Sequence, residues 1–232
     1  MPTISFPDGS KKIFKSSVSP LSIAEGISNS LKKKAVIAKV NGDFWDLNRE
    51  ISEDSSVSIL RREDKETLEI LRHDCAHILA EAVLEIYPET QVTIGPVIEN
   101  GFYYDFYREE PFSSEDLIII EKRMHEIVDR NERIDREVWS RSDAIKFYKD
   151  KNEPFKVELV NDIPKNQELT FYTQGDFIDL CRGPHLRSTL DTGHAFKLMS
   201  VAGAYWRGDS KNPMLQRIYG TAWTTDKELN QY

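Results

Sequence analysis

Two short histidine- and cysteine-bearing pairs carry the clearest chemistry in this chain, His73-x-x-x-His77 and Cys181-x-x-x-His185. Four residues of α-helix turn through about 400°, so the first two imidazoles would project from nearly one face and converge on one atom. Asp74, not glutamate, follows the first histidine, which excludes the helical metalloprotease motif. In the second pair, Gly183-Pro184 breaks any helix, so Cys181 and His185 would approach each other across a turn at a strand end. Together the pairs have the composition of a four-ligand zinc site. The same groups also serve acid–base and polarising roles without a metal. Spacing alone leaves both open.

Two further segments hold polar groups that such a site would use. In Pro154-Phe155-Lys156-Val157-Glu158-Leu159, the apolar residues alternate like one strand face, which sets Lys156 and Glu158 on the other. Lys156 there is either a solvated charge or a cation offered to a site. In Gly101-Phe102-Tyr103-Tyr104-Asp105-Phe106, alternation puts Tyr103 and Tyr104 on opposite faces, so one phenol can face a cleft while the other packs.

The elements that must position these residues fall into two modules. Over residues 1–62, strand-like runs at Thr3 to Phe6, Lys12 to Phe14, Ala35 to Val40 and Val57 to Leu60 are separated by Pro7-Asp8-Gly9 and Asn41-Gly42-Asp43. Ser19-Pro20 opens a helix between the second and third runs, giving β-β-α-β-β. The charged run Leu60 to Lys65 reads as a hinge. The second module opens with a helix whose apolar stripe runs through Leu68, Leu71, Cys75, Ile78, Leu79, Ala82, Val83 and Ile86 and stops at Tyr87-Pro88. That stripe places the two histidines on its flank, beside the core.

A hairpin over Gln91 to Tyr107, turned at Glu99-Asn100-Gly101, follows. Next come an amphipathic helix capped at Ser113, a strand at Ile134 to Trp139 and a short helix at Ser142 to Lys149. From Val157 onward the expectation is several strands. A new helix begins after Thr224. The fold class is therefore α+β, with modules at 1–62 and 63–224 and a helical start at 225–232.

Composition narrows the setting. The chain has 232 residues, 39% hydrophobic and 30% charged, with no apolar run near the roughly 20 residues of a membrane helix. Its start resembles neither a signal nor a transit peptide, and its two cysteines do not suggest a disulfide framework. A cytoplasmic location is expected. Net charge is −8, but residues 1–62 carry ten Lys/Arg and seven Asp/Glu, leaving 21 and 32 in the rest. An acidic body of this kind would have to bind RNA locally, through a few placed cations.

Longer blocks carry a resemblance. They are Ile94-Gly95-Pro96 through Asp105, Asp179-x-Cys181-Arg182-Gly183-Pro184-His185, Phe196 through Asp209 and Met214 through Trp223, together with His73-x-x-x-His77. The sequence resembles the bacterial threonyl-tRNA synthetases, and residues 1–62 look like that family's ubiquitin-like β-grasp domain, called TGS. The resemblance implies an N-terminal fragment with TGS and editing domains, which would hydrolyse mischarged seryl-tRNA(Thr) and spare threonyl-tRNA.

In catalysis it implies His73, His77, Lys156, Cys181 and His185; in substrate binding it implies Tyr104, Asp179, Gly95 and Pro96. No metal is expected in this fragment, or else zinc at His73, His77, Cys181 and His185, since related alanyl editing domains can hold zinc in such a quartet. ATP, magnesium and a zinc ion would belong to an aminoacylation core outside the chain. The expected partner is the tRNA(Thr) acceptor end, with the fragment a monomer and the full-length protein a homodimer.

Overall fold

The structure is a computed structural model and describes residues 1–232. The first module starts with the hairpin of β1 (Thr3–Ser5) and β2 (Lys11–Ile13), whose turn is held by Asp8 accepting from the Ser10 amide at 2.9 Å. Helix α1 (Pro20–Ile27) begins where Ser19 Oγ accepts from the Ser22 amide at 3.2 Å and proline takes the first helical position. A second short helix, α2 (Asn29–Lys34), adds to the β-β-α-β-β expectation, because Ser28 caps it in the same way.

Strands β3 (Ala35–Val40), β4 (Asp43–Trp45) and β5 (Ser55–Arg61) complete a sheet of order β2-β1-β5-β3-β4, with β1 and β5 parallel. Ile4, Ile23, Val40 and Val57 form its core, the arrangement of a β-grasp domain.

The second module is a larger α+β unit. Its elements are α3 (Leu68–Ile86), β6 (Gln91–Val92), β7 (Val97–Ile98), β8 (Gly101–Tyr107), α4 (Ser114–Arg130), β9 (Ile134–Trp139), α5 (Arg141–Asp150) and α6 (Pro154–Asp162). They continue with β10 (Leu169–Gln174), β11 (Phe177–Leu180), α7 (Thr189–Thr192), β12 (Phe196–Tyr205), β13 (Met214–Ala222) and α8 (Asp226–Gln231). Helices α3 and α4 pack on the antiparallel sheet β12-β13-β8-β6, to which β7 is joined through β8. A separate antiparallel sheet, β11-β10-β9, packs against α5 and α6 through Tyr148, Val160 and Phe171. No helix is long and apolar enough to cross a membrane.

Three expectations change here. Residues 154–162 form helix α6 and not a strand: Pro154 supplies a preset φ at the first helical position, and Phe155 and Val160 then share the buried side with Lys156. A five-residue alternation was too short to distinguish the two periods. The flank of α3 that carries the histidines is also covered. Asp74, His77 and Glu81 are buried along with the apolar stripe, because the β9–β11 sheet closes over them.

Nor is the stretch after β5 a loose hinge. Arg62 donates to the backbone carbonyls of Asp191 at 3.0 Å, Thr192 at 2.9 Å and Thr224. Val36, Ile37 and Leu60 of the first module share one apolar core with α3.

Candidate functional site

The four residues singled out by spacing come together. Ligand atoms of His73, His77, Cys181 and His185 all lie within 4.8 Å of one another. Helix α3 supplies the first two, with ring centroids 4.9 Å apart, as one helical turn requires. Cys181 follows β11 directly, and its amide donates to the Thr170 carbonyl at 3.0 Å, so the strand fixes its position. The chain then doubles back through Gly183, whose φ of +63° few other residues adopt without strain. That turn sets His185 Nε2 3.4 Å from Cys181 Sγ, and His73 Nε2 lies 3.0 Å from the same sulfur. His77 and His185 are buried, whereas His73 and Cys181 keep some exposure.

Burial sets the protonation states. His73 is pushed down to about 4, first by desolvation and then by the neighbouring His185. His185 is likewise lowered to about 4 by burial, and His77 falls well below the ordinary imidazole range. All three rings are therefore neutral near pH 7. The Cys181 thiol is pushed up to about 12 by burial, so it carries its proton and is not a thiolate. A fifth group orients the cluster: Asp74 Oδ1 lies 2.7 Å from His185 Nδ1, and Oδ2 accepts from the Leu186 amide at 2.9 Å. A neutral His185 donating Nδ1–H to Asp74 presents its Nε2 lone pair to the cluster. Burial raises Asp74 itself to about 7.

Beside the cluster lies a buried ion pair. Lys156, at 2% exposure, places Nζ 2.5 Å from Asp179 Oδ1. The same carboxylate accepts from Tyr104 Oη at 2.9 Å and from Tyr148 Oη at 3.2 Å. Three donors leave one of a carboxylate's roughly four acceptor positions open. The Lys156 charge is felt at both His77 and Cys181. Tyr104 is thus the inward phenol of its pair, while Tyr103 packs against Tyr219 and under the Arg217 guanidinium. Gly95 lies flat against the Tyr104 ring, where a Cβ would come within 2.7 Å of Cε2. Next to it, Pro96 accepts the Tyr103 amide at 3.2 Å.

Several contributing residues lay outside the sequence reading. Asp74 was legible in principle: it falls three residues after Leu71 and four before Ile78, so the helical period puts a carboxylate on the buried face. Tyr148 accepts the Leu180 amide at 2.7 Å and holds Asp179, which no local pattern in α5 announces. Asp46 comes from the first module, accepting the His185 amide at 3.0 Å and the Tyr172 hydroxyl at 3.0 Å.

The donor set fits zinc in composition and in its surroundings, since Asp74 holds the outer nitrogen of His185 as carboxylates do for metal-bound imidazoles.

The family described as threonyl and alanyl tRNA synthetase second additional domain matches residues 169–219, which include Asp179, Cys181 and His185. The TGS domain matches residues 2–61. The threonine--tRNA ligase of Bartonella quintana is 56% identical over 230 residues, covering 99% of this chain and 35% of the relative. That of Gluconacetobacter diazotrophicus is 56% identical over 232 residues, covering 100% and 36%. That of Rickettsia bellii is 55% identical over 232 residues, with the same shares. The chain spans about a third of the length of these relatives. It carries a TGS domain followed by the second additional domain of the synthetases, and along its whole length it is 55–56% identical to bacterial threonine--tRNA ligases.

Proposed function

We propose that this chain is the proofreading part of a threonine--tRNA ligase, hydrolysing the ester of serine wrongly attached to threonine tRNA while sparing threonine. The observation that carries the reading is the convergence of three neutral imidazoles and a thiol beside a buried ammonium–carboxylate pair. The need is physical. Serine lacks one methyl of threonine, and a difference of that size gives a binding pocket only about 1–3 kcal/mol of discrimination. A second site that accepts only the smaller acyl group supplies the rest. ATP-dependent ligation would reside outside these residues, and the setting would be the cytoplasm, with the tRNA acceptor end as partner.

The reaction breaks the acyl C–O bond, adds the hydroxyl of water to the carbonyl carbon and returns a proton to the ribose oxygen. His73, the least buried member of the trio, positions the terminal ribose and passes the proton. With a pKa near 4 it hydrogen-bonds well and stores a proton poorly. His77, Cys181 and His185 enclose the water. The protonated Cys181 makes an acyl–cysteine intermediate unfavourable, which supports direct attack by water. Lys156 stabilises charge developing on the carbonyl oxygen in a site closed to bulk solvent. The open acceptor position of Asp179 takes the serine ammonium group, and Tyr104 holds that carboxylate in place. Zinc held by all four ligands would make a closed structural centre, with His73, His77, Cys181 and His185 as its donors; the steps above use none.

The test is deacylation of seryl- and threonyl-tRNA side by side, before and after chelation, with metal analysis of the same protein. Selective loss of serine is expected, abolished in His73→Ala and Lys156→Ala. Equal hydrolysis of both esters, or wild-type rates in either variant, overturns the scheme. Stoichiometric zinc whose removal abolishes hydrolysis overturns its metal-free form.

A further inference from the structure

One cavity runs against the acidic balance of the chain. It encloses about 200 Å³ where the loop after β4 faces the start of β9 and the loop after β11. Four arginines line it, Arg49 from the first module and Arg133, Arg136 and Arg187 from the second, against Asp46 and Asp135. In a chain of net charge −8 this lining is net positive.

Its cations differ in availability. Arg187 is held by Asp191, with Nη2 3.0 Å from Oδ1, and Arg133 Nε lies 2.6 Å from Asp135. Asp46 is engaged by the His185 amide and the Tyr172 hydroxyl. Arg49 pairs with no carboxylate; its guanidinium sits 3.5 Å from the Trp45 ring centroid. Arg136 reaches only the exposed Glu168, at 3.5 Å. Two planar cations therefore remain in a recess whose walls concentrate their field. Their fork geometry matches the paired oxygens of a phosphate. The lining contains neither a glycine nor a helix N-terminus, the features that gather the several charges of a nucleoside triphosphate. Single phosphodiesters spaced along a strand fit it better. His185 lines this recess and belongs to the catalytic cluster, so the two are adjacent.

We propose that this cleft between the modules seats the phosphodiester backbone of an RNA strand, with Arg49 and Arg136 as its phosphate ligands. The identity of the strand, one whose 3′ end enters the cluster, rests on the proofreading reading above. Recognition here would be independent of base identity, and it would require both modules.

The test uses the whole chain and a fluorescent RNA hairpin with a single-stranded 3′ tail, titrated at several salt concentrations. Arg49→Ala and Arg136→Ala are each expected to weaken binding and to flatten the salt dependence of log K by about 0.7 per phosphate released. Arg49→Lys, which keeps the charge but not the fork, retains the wild-type slope with weaker binding. Lys211→Ala, an exposed cation outside the cleft, behaves as wild type. Unchanged slopes in both arginine-to-alanine variants overturn the proposal. So does displacement of the RNA by inorganic phosphate or ATP beyond the effect of potassium chloride at equal ionic strength, which would mark a small-anion site. Hydrolysis of a seryl ester of adenosine, which has no phosphodiester, tests the cluster separately. Failure there with arginine-dependent RNA binding intact sinks the proofreading reading and leaves the cleft standing.

Discussion

Replacing Asp46 by alanine tests whether the first module takes part in the chemistry of the second. Its side chain is 9% exposed, with Oδ1 accepting the His185 amide and Oδ2 the Tyr172 hydroxyl, each at 3.0 Å. The Tyr172 ring in turn lies 4.3 Å from the His185 imidazole, centroid to centroid. A hydrogen bond to a charged group contributes about 1.5–3 kcal/mol, and two donors sharing one carboxylate are coupled and not additive. If one such bond is removed from the assembled site, at about 1.4 kcal/mol per factor of ten, hydrolysis slows by about 10- to 150-fold.

Asp46→Asn separates geometry from charge. Its amide oxygen can still accept from His185 and its NH2 can donate to the Tyr172 oxygen, so the expected loss is below about tenfold. Single-turnover deacylation of seryl-tRNA with protein in excess reads the rate, and thermal unfolding of the same samples reads stability. A folded Asp46→Ala protein with the wild-type rate would refute the coupling. Equal losses in the alanine and asparagine variants would refute its hydrogen-bonded basis.

Two other outcomes follow from burial. Lys156→Met leaves the Asp179 carboxylate buried with two phenols and no cation, which costs about 3–5 kcal/mol and, for a chain of this size, lowers Tm by about 2–4 °C per kcal/mol. Adding Asp179→Asn should recover much of that loss in calorimetry; a double variant less stable than Lys156→Met would contradict the ion-pair account. Nitrogen NMR of the imidazoles should show His73 and His185 neutral down to about pH 4, and midpoints near 6.5 would contradict the burial argument. Because unfolded histidines take up protons below about 6.5 and these two do so only near 4, their contribution makes the fold less stable as pH falls across that window. Asp74 acts with the opposite sign: its folded value near 7 gives a contribution complete below its ordinary value of 3.8 and lost as pH rises through 7, so Asp74→Asn steepens the acid loss.

What the sequence made legible was local. His73 and His77 are tied by one helical turn, and Cys181 and His185 by a glycine–proline turn, so each pair could be read without knowing the other. Four of the five β-grasp strands and the α3 stripe were visible for the same reason, since each follows a short period or a cap; β4, three residues directly after the Asn41-Gly42 turn, was too short to read. Lys156 was singled out but set on the wrong element, because Phe155, Val157 and Leu159 satisfy a strand period over too short a stretch. The contributions of Asp46, Tyr148 and Tyr172 are tertiary. Each hydroxyl or carboxylate meets its partner across tens of residues or more, and no periodicity in one strand or helix encodes that meeting.

Those long separations have a consequence for how the molecule comes into being. His73 meets Cys181 across 108 positions, Asp74 meets His185 across 111, and Asp46 meets the His185 amide across 139. A chain emerging from the ribosome can complete its β-grasp domain early, because every strand of that sheet lies within the first 61 residues. The histidine–cysteine cluster cannot exist until the stretch around residue 185 has emerged and closed loops of that length, the slow kind of contact in folding. The first module would therefore wait, folded, with the Asp46 carboxylate unmatched, and serve as the template against which the last loop of the site settles.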